Sequence, residues 1–149
     1  MARPAAIALF ALFLSALATA TLAAPRPDGL YAITEDGKPL ALITVKTMAG
    51  GEMQGWLAGA LNGDPPNRIC DKCQGALHNQ RITGMRVLWG LHQDASNPLF
   101  YNGGSILDPD SGNVFSAEWT ESADGKTLTV RGYMGVEALG RTQIWVRRK

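Results

Sequence analysis

Charge is scarce in this chain and evenly signed. Only 18% of its 149 residues are charged, with 14 Lys plus Arg against 13 Asp plus Glu. Without a concentrated basic field there is no electrostatic reason to seek nucleic acid or an anionic lipid surface. Histidine and cysteine occur twice each, which leaves few members for a nucleophile, base and acid arrangement. No G-x-S-x-G, H-E-x-x-H, P-loop or dinucleotide-type glycine pattern occurs. The expectation is a non-catalytic protein with no cofactor and no metal. Beyond the N-terminal segment, nothing holds a 3.6-residue apolar period for three turns, so long amphipathic helices are excluded. What is present is 46% apolar residues and 17 glycines, enough for one domain with a real core.

The first residues, MARPAAIALFALFLSALATATLAAPRPDG, place Arg3 before an apolar run at 5–17 and then small residues. This is the layout of a secretory signal peptide, assigned here to residues 1–23. The run is too short for a spanning helix, which needs about 20 apolar residues. Ala18-Thr19-Ala20 offers a small-x-small cleavage pattern, so the mature chain is expected to start near Thr21 or Ala24. No cysteine follows the run, so a lipid-modified terminus is not indicated. The expected product is periplasmic or secreted, without an integral membrane segment after cleavage. It carries 13 basic and 13 acidic residues once Arg3 is gone.

Within the single domain expected over 24–149, β-compatible runs alternate with turn clusters. The runs lie at 29–34, 40–48, 53–61, 82–92, 100–107, 114–120, 127–133 and 141–147. Asp36-Gly37, Gly50-Gly51, the segment 108–113 and the segment 122–126 supply turn residues. A long irregular loop at 62–81 contains Pro65-Pro66 and both cysteines. Alternation gives each strand two faces. Met85, Val87, Trp89 and Leu91 are expected on one face of the fourth, and Phe115, Ala117 and Trp119 on one face of the sixth. Eight antiparallel strands in an open sheet leave exposed edges, which closure into a barrel abolishes. The fold class predicted is therefore all-β, an eight-stranded antiparallel barrel just wide enough for side chains or one small ligand.

Cys70-Asp71-Lys72-Cys73, the segment 82–91, Gly103-Gly104-Ser105-Ile106-Leu107-Asp108-Pro109, Arg131-Gly132-Tyr133-Met134-Gly135 and Leu139-Gly140-Arg141-Thr142-Gln143-Ile144-Trp145 together carry a resemblance. The chain resembles an exported bacterial family, domain of unknown function twenty-one forty-seven, over essentially the whole mature length. That resemblance implies a lipocalin-like barrel of the bacterial envelope with no established biochemical role. Gly29-Leu30-Tyr31 matches the family's opening G-x-W with Tyr in place of Trp. The implied role of that aromatic is to plug the closed end beneath a basic residue of the last strand, Arg141 or Arg147.

The cysteines admit three readings. No helical run precedes Cys70 to activate a thioredoxin-like thiol, and Gln74 stands where haem attachment needs His. Zinc would use Cys70, Cys73, His78 and His92 at an irregular spacing. A disulfide pinning the long loop is the expected state in an oxidising compartment.

Alternation groups Thr127, Thr129, Arg131 and Tyr133 on one face of the seventh strand, and Arg141, Gln143, Trp145 and Arg147 on one face of the eighth. Facing inward, Arg131, Tyr133, Arg141, Gln143 and Trp145 would form a ligand site, with two guanidiniums holding a carboxylate or phosphate. Facing outward they would be a solvated surface, with Leu128, Val130, Ile144 and Val146 as the core face. Arg147-Arg148-Lys149 reads as a solvated tail. Two functions follow. One is a periplasmic barrel binding a small amphipathic or anionic ligand. The other is a structural or protein-interaction module of the envelope, whose partner would dock on an edge or on an apolar patch of the cysteine loop.

Overall fold

The structure is a computed structural model that describes residues 26–136 and 140–149; the expected signal peptide at 1–23 lies outside the described residues. Eight strands follow one another: β1 (Gly29–Glu35), β2 (Lys38–Thr47), β3 (Met53–Ala60), β4 (Arg86–Gln93), β5 (Phe100–Asp108), β6 (Asn113–Glu121), β7 (Thr127–Tyr133) and β8 (Arg141–Arg147). Each pairs antiparallel with the next, and β8 returns to pair with β1, closing the barrel. Closure gives each of the eight strands a paired neighbour on both sides.

The turns explain where strands begin. Asp36 and Gly37 both take positive φ, 50° and 74°, the two-residue hairpin connection whose twist matches that of the flanking strands. Glu35 therefore pairs directly with Lys38, and β2 starts two residues before the apolar run. β4, in contrast, starts later than expected. Gly84 at φ 92° breaks the extended backbone, and Met85 instead accepts from Leu57 across to β3.

Alternation holds in β6, where Ala117 and Trp119 are buried and Phe115 faces the interior. In β4 it fails. The β3–β4 register shifts twice, between Met53 and Gly55 and between Gly55 and Trp56. Each shift inserts an extra residue and turns the next side chain over. Val87, Leu88 and Leu91 are consequently buried, whereas Trp89 lies under the Arg86 guanidinium, 5.8 Å away. Trp89 does not share an inward face with Val87 and Leu91, a correction to strict alternation.

The densest part of the core packs the end of the barrel at Tyr31. Tyr31, Val45, Met53, Leu91, Tyr101, Trp119 and Leu128 are all buried there. Tyr101, Trp119 and Trp145 run in series, with ring centroids 5.3 Å and 6.4 Å apart in tilted contacts that aromatic quadrupoles favour.

Candidate functional site

One end of the barrel is sealed by Tyr31 and Arg147. The Tyr31 hydroxyl donates to the Pro27 carbonyl at 2.9 Å, and the Arg147 guanidinium lies 4.8 Å over the ring centroid. Of the two basic residues considered for this role, Arg147 holds it. It is no solvated tail: Nε donates to Gly125 O, Nη1 to Asp28 O and Nη2 to Arg26 O. A Cβ on Gly29 would stand 2.5 Å from Arg147 Nη1, so the glycine two residues before Tyr31 makes room for the cation. Burial raises the Tyr31 hydroxyl to about 12 even though Arg147 pulls it down. Beside it Asp28 accepts from the Thr47 amide and hydroxyl at 2.7 Å and 2.6 Å. Burial alone would raise that carboxyl, but the bonds from Thr47 hold it below its ordinary value.

Beneath this seal sits Glu121, fully buried on β6. Neither of its oxygens has a hydrogen-bond partner among the described residues, and its nearest cation is Arg147, 3.8 Å away. Burial pushes its carboxyl above the ordinary value, against the pull of Arg147. It continues the inward face of Ala117 and Trp119, and that period was the signal by which the sequence could have exposed it.

The other half of the barrel is a cavity of about 820 Å³, bordered by the β1–β2 hairpin, the cysteine loop, the β5–β6 turn and the end of β7 at Tyr133 and Met134. Its walls include Ile33, Ile43, Leu57, Val87, Val130 and Trp145, and its polar residues gather at the mouth. The Trp145 indole donates to Gln143 Oε1 at 3.1 Å. That fixes which way the amide points and leaves its N–H groups to donate elsewhere.

The β7–β8 register decides which expected site residues meet. Gly132 pairs with Arg141, Val130 with Gln143, and Leu128 with Trp145. Arg141, Gln143 and Trp145 therefore line the cavity, with Tyr133 at its rim. Arg131 pairs with Thr142 on the outer surface, donating to its hydroxyl at 3.0 Å. The expected convergence of Arg131 with Arg141 does not occur, because the two guanidiniums leave opposite sides of the sheet. For the same reason Ile144 and Val146 are exposed outside rather than joining Leu128 and Val130 in the core.

The loop beyond β3 is fastened to one side of the mouth. Cys70 and Cys73 form a disulfide, so neither sulfur is a thiolate ligand for zinc, and both are buried. Ile69 bridges Arg81 across the loop, and Cys70 N donates to Gln80 O. Gly112 in the β5–β6 turn abuts the loop so closely that a Cβ there would lie 2.0 Å from Lys72 O. Arg68 joins the two segments, with Nη1 on Asp64 and Nη2 on Asp110, each at 2.5 Å. Hydrogen bonds from Asn62 and Arg68 hold the Asp64 carboxyl below its ordinary value, so this part of the rim stays ionised at neutral pH.

Comparison with known proteins fits this geometry. The protein HP1028 from Helicobacter pylori, described as belonging to the lipocalin family, superimposes with a TM-score of 0.71 at 17% identity, covering 83% of this chain and 84% of that one. No curated protein matches the chain. The family described as "Uncharacterized protein conserved in bacteria" (DUF2147) matches residues 29–147, every strand of the barrel included. The chain belongs to that family, and its fold is a lipocalin-like β-barrel.

Proposed function

We propose that this is an exported, non-catalytic barrel that holds one small amphipathic molecule in its cavity. The observation that carries the reading is the half-filled interior: about 820 Å³ with apolar walls and a polar mouth. Ligand sites typically measure about 300–1,000 Å³ and are lined mainly by apolar side chains with a few placed polar groups. A barrel meant only as scaffolding would gain stability by filling that space with its own side chains.

Neither His78 nor His92 lines the cavity, which supports binding over catalysis. The Cys70–Cys73 disulfide supports residence in an oxidising space such as the periplasm. The purely anionic version of the ligand loses its second guanidinium with Arg131 outside the barrel. The cysteine loop offers a docking partner little apolar surface: within 62–81 only Ile69 is a large exposed hydrophobic among the described residues.

Native mass spectrometry of the protein purified from its own periplasm tests the reading. The expected result is a mature chain starting near Thr21 or Ala24 that retains one small molecule, released on denaturation. A chain that carries none, and that fails to take up a fluorescent alkyl probe, overturns it.

A further inference from the structure

The mouth also constrains the head group of the molecule, an inference that rests on the cavity reading above. Among the described residues four carboxylates line it, Glu35, Asp64, Asp108 and Asp110, against two guanidiniums, Arg68 and Arg141. Arg68 is committed, since Asp64 and Asp110 hold both of its terminal nitrogens. Asp108 accepts from the Asp110 amide and the Ser111 hydroxyl of its own turn. Glu35 and Arg141 lie on neighbouring strands β1 and β8, and both line the cavity. Among the described residues neither makes an ion pair or a side-chain hydrogen bond.

Among the described residues the mouth therefore offers one uncommitted cation and a surplus of negative charge. A purely anionic head finds a single guanidinium amid carboxylates, and a purely cationic one leaves Arg141 unanswered. A head carrying both signs satisfies both, with the donors of Gln143 deeper in. Volume limits the rest: at roughly 30 Å³ per water-sized group, about 820 Å³ has room for one dodecyl chain with its head but falls short of two such chains with theirs.

We infer that the bound molecule is a single-chain amphiphile with a zwitterionic head, its cationic nitrogen facing Glu35 and its anionic group facing Arg141. A lysophospholipid and an alkyl betaine share this chemistry.

Calorimetric titration of the mature protein with dodecyl compounds below their micelle concentrations tests the inference. The series is dodecylphosphocholine, dodecylbetaine, dodecylammonium, laurate and the uncharged dodecyl maltoside. The better zwitterion should bind at least tenfold more tightly than laurate, with dodecylammonium between them. A preference for phosphocholine or for betaine identifies phosphate or carboxylate as the anion. Glu35→Gln should weaken the zwitterions and the amine while sparing laurate. Arg141→Gln should bring the better zwitterion down towards the amine. Circular dichroism establishes that each variant is folded. Laurate binding as tightly as the zwitterions, or an affinity order unchanged by both substitutions, overturns the head-group assignment. So does maltoside equal to the zwitterions, a result that leaves the cavity reading standing. Failure of every dodecyl compound to bind overturns both.

Discussion

Arg147 Nη2 stands 3.8 Å from Glu121 Oε1, an ion pair in which the carboxylate is wholly buried and the guanidinium lies across the Tyr31 ring. The spacing is too long for a hydrogen bond, so the cation supplies charge rather than a proton to that acid. Its hydrogen bonds go instead to three backbone carbonyls at the sealed end.

Replacing Arg147 with Met keeps the apolar stem but strands Glu121 and releases those carbonyls. Breaking a buried pair from one side typically costs about 3–5 kcal/mol. Urea unfolding of Arg147→Met at neutral pH should show a loss of that order. The double variant Arg147→Met/Glu121→Gln should recover part of it, because no buried charge is then left alone.

The raised carboxyl of Glu121 fixes the sign of a pH effect. Its folded value lies above its unfolded one, so its favourable contribution is complete below the ordinary carboxyl range and is lost as pH rises through the raised value. Glu121→Gln mimics the protonated form. The variant should exceed the parent in stability at neutral pH, and the difference should vanish on acidification. Asp28 titrates with the opposite sign, but it is common to both proteins and cancels. Denaturant titrations of the pair between acid and neutral pH measure the gap; a gap that widens towards acid contradicts the assignment.

Two glycines separate filling the cavity from breaking the wall. A Cβ on Gly132 would meet Ile106 Cγ2 at 3.5 Å and Phe115 Cβ at 3.7 Å, ordinary contacts beside open space. Gly132→Ile should therefore fold with stability within about 1 kcal/mol of the parent while weakening uptake of an alkyl probe at least tenfold. At Gly104 the same atom would lie 2.4 Å from Leu91 Cγ and 2.8 Å from Trp89 O. Gly104→Ala should cost about 1–3 kcal/mol by overpacking. Thermal melts and probe titrations read both outcomes.

The disulfide closes a very short loop, with a sequence separation of 3. On the chain-entropy account its removal costs about 2 kcal/mol. Cys70→Ala/Cys73→Ala should show that loss in urea, together with faster amide exchange confined to the loop, whose amides at Cys70 and Ile82 donate to Gln80 and Arg68.

The strands were legible because turn chemistry marks them off: Asp36-Gly37, Gly112 and Gly125 all take positive φ, as Asp-Gly and Ser-Gly clusters suggest. Loop 62–81 was legible from its prolines. Facing was harder. Trp89 obeys strict alternation on paper, but the bulges of β3–β4 reverse it, and a bulge has no period to detect. Alternation grouped Arg131 and Arg141 within their own strands, but the register between β7 and β8 decides which groups meet. The partnership of Glu121 with Arg147 joins β6 to β8 through the interior and leaves no local pattern in the chain.

Gly112 pressed against the Lys72 carbonyl, with Arg68 clasping Asp110 beside it, ties the cysteine loop to the β5–β6 turn as one jamb of the doorway. Across the doorway from it lie β1, β2 and the start of β8. Glu35 and Arg141 stand there, so a guest taken up by the proposed route would pass between a tethered side and the two side chains expected to greet it.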